Sequence, residues 1–108
     1  MPNTTRRASA LRGFYLTTGR SKFRWDLPGN NMTCNDITVA TDHTLYFTDT
    51  PNGSIYRLAP GAQTPELWLE DCALTGVDGI TLLNGVIYVT NVFSNNLYRI
   101  PMDAAGLF

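Results

Sequence analysis

The sequence repeats itself about every 42 residues. The segment that begins at Cys34 aligns with the segment that begins at Val77. Aromatic residues recur at the same spacing at Phe14, Tyr56 and Tyr98. Repeats of about 40 to 45 residues that contain several short strands are typical of β-propeller blades, which are four-stranded sheets arranged around a central channel. The spacing therefore predicts an all-β fold in which consecutive repeats form consecutive blades.

Short β-rich runs separated by turn residues divide each repeat into strands. They predict an incomplete β-propeller of about two four-stranded antiparallel blades plus a partial one. Residues 33–71 are interpreted as a complete blade and residues 77–101 as the first three strands of the next. Residues 10–28 match only the last two strands of a preceding blade, of which the third strand is predicted to run from Leu11 to Leu16. Residues 1–9 are interpreted as an N-terminal tail and residues 102–108 as a truncated end.

The length of the chain conflicts with ring closure. A chain of 108 residues holds about two and a half such repeats, whereas propellers close with about four to eight blades. Each unpaired blade leaves an apolar face that needs a neighbour. Closure is therefore expected to require further blades or self-association, and a truncated reading frame without stable activity is one interpretation.

The charge distribution excludes some classes of partner. The formal net charge is −1, and six of the eight basic residues precede residue 25, with no acidic residue before Asp26. An Arg-rich, acid-free start is typical of organelle transit segments, although residues 10–27 already fit the repeat. Neither a nucleic-acid motif nor an apolar run long enough to span a membrane is present, and Cys34 and Cys72 are expected to be free thiols. We expect a soluble protein, cytoplasmic by default, whose compartment the sequence does not establish.

Two matched segments carry a resemblance to a known family. They are Cys34–Ile37, followed by LYFTDT and IYRL, and Val77–Ile80, followed by IYVTN and LYRI. Together with the repeat length, they resemble the six-bladed propellers that include senescence marker protein, gluconolactonase and the luciferin-regenerating enzyme. The more specific part of the likeness is an Asn at the entry of one innermost strand followed by an Asp at the entry of the next.

This resemblance implies a divalent metal in the central tunnel and hydrolysis of a lactone or related ester. Asn35 and Asp78 match two of the metal ligands, and the other ligands of the family would come from blades outside this sequence. Oxygen ligands suit Ca²⁺ best, with Mg²⁺ or Zn²⁺ as alternatives. The resemblance leaves the catalytic residues unidentified. Asp36 stands where the family often has Gly, so its side chain could alter the tunnel or pair with a neighbour.

Structural roles compete with these site roles. Asn35 and Asp78 could instead cap backbone groups at strand entries, because Asn and Asp readily bond neighbouring amides. Asp49 and Asn91 end the second strands, beside the entries of the first strands, and could contact a substrate at the tunnel rim. A role in turn hydrogen bonds is the alternative for both. The lone histidine, His43, is predicted to lie in a surface turn at the opposite end of the hairpin from Asn35.

The recurring aromatic residues have a simpler interpretation. Trp25, Trp68 and the three aromatic residues of the 42-residue spacing are predicted to pack between blades. The main functional alternative to a hydrolase is a non-catalytic propeller, similar to NHL-repeat proteins, that binds a small ligand or a protein on its open face.

Overall fold

A computed structural model of the chain describes residues 9–27 and 32–102. Most of the predicted N-terminal tail and truncated end therefore lie outside the described residues. The described part contains nine strands and one short 3-10 helix at Cys72–Leu74. The strands are β1 (Ala10–Phe14), β2 (Ser21–Asp26), β3 (Cys34–Val39), β4 (Leu45–Asp49), β5 (Ser54–Leu58), β6 (Glu66–Glu70), β7 (Val77–Leu83), β8 (Val86–Asn91) and β9 (Asn96–Pro101).

The strands form three antiparallel sheets in chain order. Sheet 1 has the order β1-β2, sheet 2 the order β3-β4-β5-β6 and sheet 3 the order β7-β8-β9. None of the sheets closes into a barrel, and every neighbour in a sheet is also a neighbour along the chain. This is the meander of a propeller blade, so the predicted all-β, incomplete propeller fold is confirmed.

Sheet 2 packs against sheet 1 on one face and against sheet 3 on the other. Successive side chains of a strand point to opposite faces, so neighbouring residues of sheet 2 contact different sheets. Tyr46 packs toward sheet 3, in a cluster with Trp68, whereas the next residue, Phe47, packs toward sheet 1. The cluster between sheets 1 and 2, called cluster 1, contains the buried residues Leu11, Leu27, Met32, Phe47 and Leu58. The cluster between sheets 2 and 3, called cluster 2, contains Ala40, Tyr46, Ile55, Trp68, Leu69, Leu74, Val77, Ile80, Ile87, Val89 and Ile100.

The recurring aromatic residues pack between sheets with one exception. Trp68 lies edge-on to Tyr46, with ring centroids 5.5 Å apart. Tyr56 and Trp25 border cluster 1. Phe14, in contrast, is 49% exposed. Its equivalent Tyr56 faces the preceding sheet, and the described residues form no sheet before sheet 1.

Strand β1 ends two residues earlier than predicted. The chain turns after Phe14, where the backbone N–H of Tyr15 donates to the carbonyl of Arg20. Gly19 closes this turn with a φ of 74°, a conformation that a residue without Cβ adopts at little cost. The turn carries Leu16 into solvent. Within the described part of the chain, no helix is long and apolar enough to cross a membrane.

Candidate functional site

The innermost strand of sheet 2 carries a β-bulge at its entry. Strand β3 pairs regularly with β4 from Ile37 onward, and its register shifts between Cys34 and Ile37. Asn35 and Asp36 therefore share one partner position, opposite Thr48. Bulges of this kind are enriched next to functional sites because they redirect side chains.

Sheet 3 has the same bulge at the matching position. The register of β7 and β8 shifts between Val77 and Ile80, so Asp78 and Gly79 share the position opposite Thr90. The sequence repeat is thus a repeat of local geometry as well as of fold. Asn35 and Asp78 are the first bulged residues of the two innermost strands.

A threonine hydroxyl accepts the bulge N–H in both sheets. The N–H of Asp36 donates to Oγ1 of Thr48 at 3.2 Å, and the N–H of Gly79 donates to Oγ1 of Thr90 at 3.0 Å. These bonds replace the backbone partner that a bulged residue loses. The threonines are therefore part of the motif that sets the direction of the chain at Asn35 and Asp78.

Hydrogen bonds also join the two bulges across the interface between sheets 2 and 3. The hydroxyl of Thr48 donates to the carbonyl oxygen of Asp78 at 2.8 Å. The hydroxyl of Thr50 donates to the carbonyl oxygen of Val77 at 2.6 Å and accepts from Nδ2 of Asn35 at 3.0 Å. Asn35 is therefore connected, through Thr50, to the residue that precedes Asp78 in β7.

Asp36 pairs with the neighbouring sheet, one of the two outcomes expected for a side chain at this position. Its Oδ2 accepts the backbone N–H of Ile80 at 2.9 Å. The matching residue in sheet 3 is Gly79, where an added Cβ would lie 3.2 Å from Oγ1 of Thr90. The two bulges therefore differ in the second residue, and only the bulge of sheet 2 has a carboxylate there.

The described residues make no polar contact with the side-chain oxygens of the two candidate ligands. Within residues 9–27 and 32–102, neither Oδ1 of Asn35 nor the carboxylate of Asp78 takes part in a hydrogen bond or ion pair. Asn35 is exposed and Asp78 is half-buried. A strand-capping role would consume these oxygens, so the contacts that define that alternative are not observed in the described part.

The donor set suits a hard cation but is small. An amide oxygen and a carboxylate are ligands that Ca²⁺ accepts, and Ca²⁺ takes about six to eight oxygens. No group of three or more His, Cys, Asp or Glu residues in the described part could hold a metal ion. Asn35 and Asp78 therefore fit a metal as two ligands of a larger set, and their assignment stays a prediction.

Asp49 is fully buried at the end of β4 and holds the adjoining loops. Its Oδ1 accepts the backbone N–H of Thr33 at 2.9 Å, and its Oδ2 accepts from Nδ2 of Asn52 at 2.7 Å. Burial of a carboxylate is costly unless hydrogen bonds compensate it. The observed contacts are those of the turn-bonding alternative, while contact with a substrate stays a prediction.

Asn91 has the same role at the end of β8. Its Oδ1 accepts the N–H groups of Phe93 and Ser94 at 2.9 and 3.0 Å, and its Nδ2 donates to the carbonyls of Ala73 and Thr75 at 3.2 and 2.9 Å. All of the hydrogen-bonding capacity of the amide is thereby used. Asn91, 3% exposed, closes the loop that leads out of β8.

His43 lies in the surface turn predicted for it. It is exposed and has a φ of 72° in the turn that joins β3 to β4. This turn is at the opposite end of the hairpin from Asn35. The structure does not bring the histidine to the two bulges.

Negative charge beside β3 affects two titratable groups. Burial raises the pKa of the Cys34 thiol, and the carboxylates of Asp49 and Asp36 raise this pKa further. Burial also raises the pKa of Tyr56, with additional contributions from Asp49 and Glu70. In both groups the nearby carboxylates disfavour the deprotonated, negatively charged form.

The two cysteines are expected to differ in reactivity. Both are free, but Cys34 is half-buried and Cys72 is exposed. Because the thiolate is the reactive form, the raised pKa of Cys34 should slow its alkylation by iodoacetamide at pH 7.5 and make the rate rise as the pH increases. Mass spectrometry after limited alkylation should find Cys72 modified first. Earlier modification of Cys34 would contradict the packing around β3.

The orientation of the two bulges by threonines was not predicted from the sequence. Thr48 and Thr90 stand 42 residues apart in LYFTDT and IYVTN, and this recurrence was the available signal. Thr50 has no such counterpart, because Val92 occupies the matching position. Comparison with known proteins adds nothing to this assignment: no protein-family model and no curated protein matches the chain.

Proposed function

We propose that this chain is part of a metal-dependent hydrolase of the gluconolactonase-like propeller kind, which acts on a lactone or a related ester. One observation carries the proposal. Asn35 and Asp78 occupy the same bulge position on neighbouring innermost strands, and the described protein leaves their side-chain oxygens without partners. Free oxygens at repeated positions on adjacent strands suit a shared cation better than two independent caps.

The proposed cation is Ca²⁺, with Mg²⁺ or Zn²⁺ as alternatives. The carboxylate of Asp78 would supply charge and Oδ1 of Asn35 a neutral oxygen, while water or protein segments beyond the described residues would supply the other ligands. Such a metal, when bound, polarises an ester carbonyl and lowers the pKa of a bound water. Asn35 would stay oriented because Thr50 accepts from its Nδ2.

Removal of one ligand charge should abolish the effect of calcium on stability. We expect the thermal midpoint of the wild-type protein to rise in 5 mM CaCl₂, because a ligand that binds only the folded state stabilises it. Asp78→Asn should lose this rise. Asp42→Asn is the matched control, because this substitution removes the same charge. Asp42 is exposed in the turn that joins β3 to β4. A midpoint of the wild type that does not respond to CaCl₂ would contradict the metal site.

Activity is tested separately. Hydrolysis of δ-valerolactone, followed through proton release, should depend on CaCl₂ and should be lost in Asp78→Asn but not in Asp42→Asn. Calcium binding without hydrolysis by a closed oligomer of the chain would retain the metal site and contradict the hydrolase.

An exposed apolar loop favours a second candidate function, that of a non-catalytic binding propeller. Val92 and Phe93 follow β8 directly and are 51% and 70% exposed. They lie beside the entry of β7, because Val92 donates its N–H to the carbonyl of Gly76. Exposed aromatic side chains at a rim are typical anchors for a ligand or a protein partner. Absence of both calcium binding and hydrolysis would favour this candidate.

A further inference from the structure

The hydroxyl of Thr48 makes two hydrogen bonds, one to each innermost strand. It accepts the N–H of Asp36 at 3.2 Å within sheet 2 and donates to the carbonyl of Asp78 at 2.8 Å in sheet 3. The side chain is fully buried. A hydroxyl can accept and donate at once, so one side chain fixes the distance between the two bulges.

Asp36 holds the same stretch of β7 from its other end. Its carboxylate accepts the N–H of Ile80, two residues beyond Asp78. The residue between them is Gly79, and glycine has the least restricted backbone of all residue types. The segment 78–80 is therefore held at the carbonyl of its first residue and at the N–H of its last.

We propose that Thr48 and Asp36 are positioning residues for Asp78 as a metal ligand. This inference rests on the proposed function, because it assigns a purpose to the orientation of Asp78. Groups that orient a ligand through hydrogen bonds typically contribute about 10- to 100-fold to metal affinity. Neither residue needs to touch the metal for this effect.

The hydroxyl of Thr48 can be removed without a change in side-chain shape. Thr48→Val replaces the hydroxyl by a methyl group, whereas Thr48→Ser keeps the hydroxyl. The matched control is Thr38→Val on β3, because the hydroxyl of Thr38 makes no hydrogen bond within the described residues. By calorimetric titration of the full chain with CaCl₂, we expect Thr48→Val to weaken binding by about tenfold and the other two variants to stay within about twofold of wild type.

Asp36 is tested by a readout that does not depend on the metal. Amide hydrogen exchange at Ile80 in the absence of calcium should accelerate in Asp36→Ala, which lacks the acceptor. It should stay slow in Asp36→Asn, because the amide oxygen can still accept from Ile80. The global unfolding midpoint of each variant shows whether faster exchange is local.

The outcomes distinguish the positioning role of Thr48 and Asp36 from the proposed metal-dependent function. Equal calcium affinity in the wild type and Thr48→Val would overturn the inference and leave the proposed function standing. No calcium binding by the wild type would overturn the proposed function. In that event the role of Asp78 as a metal ligand falls as well, and the exchange of Ile80 decides only the structural part of the inference: local acceleration in Asp36→Ala supports the positioning of segment 78–80, and unchanged exchange overturns it. If Thr48→Val does not fold, the Asp36 pair provides the test.

Discussion

Replacement of Phe47 by alanine is expected to lower the free energy of unfolding by about 3 to 5 kcal/mol. Phe47 is fully buried in cluster 1, and its ring stacks on Tyr56 with centroids 5.6 Å apart. Its removal leaves a cavity between sheets 1 and 2, because Phe47 is the largest fully buried side chain of cluster 1. Urea denaturation followed by tryptophan fluorescence measures the loss.

Phe93→Ala provides the control for this prediction. Phe93 is 70% exposed, so its removal should change the free energy of unfolding by no more than about 0.5 kcal/mol. If the two variants had equal effects, the packing of sheet 1 on sheet 2 would be contradicted. Loss of the cooperative transition in Phe47→Ala, but not in Phe93→Ala, would support this packing.

Gly53→Ala is expected to lower the free energy of unfolding by about 2 to 5 kcal/mol, because backbone strain and the steric overlap of the added Cβ both destabilise the folded state. Gly53 has a φ of 63°, which is unfavourable for a residue with a Cβ. An added Cβ would lie 2.6 Å from the carbonyl oxygen of Asp71 and 2.7 Å from the backbone nitrogen of Thr75. Both neighbours are backbone atoms, so the connection between β6 and β7 would have to move.

Gly61→Ala separates strain from overlap. Gly61 also has a positive φ, 80°, but apart from its chain neighbours no described residue has an atom within 4 Å of the added Cβ. This variant should therefore cost only the conformational part, about 1 to 2 kcal/mol. Equal losses for the two variants in a urea titration would mean that the segment 71–75 does not pack against the turn at Gly53.

The arrangement of the sheets could be predicted because each sheet is formed by strands that are consecutive in the sequence. The recurrence of Phe14, Tyr56 and Tyr98 fixed the order of the repeats, and turn residues separated the strands. Phe14 shows where this reasoning fails. Recurrence predicts which face of a strand a side chain occupies, but burial also requires a neighbouring sheet, and the described residues provide none for that face of sheet 1.

The matching positions of the two candidate ligands could be predicted, but the hydrogen bonds around them could not. Asn35 and Asp78 follow from the repeat register, since equivalent residues of adjacent blades lie at equivalent places. The hydrogen bonds from Thr48 to Asp78 and from Ile80 to Asp36 join residues 30 and 44 positions apart in the chain. They depend on the two bulges, and a bulge shifts a register by one residue without a distinct sequence signal.

The most direct test of the central claim is a calcium titration of the ¹⁵N-labelled protein, followed by the amide chemical shifts. We expect saturable shifts of the amides at both bulges, Asn35–Asp36 and Asp78–Gly79, with one common dissociation constant. The amides of the turn at residues 41–44, at the opposite end of the β3–β4 hairpin, should not shift. Shifts confined to that turn, or to only one of the two bulges, would contradict a shared metal site.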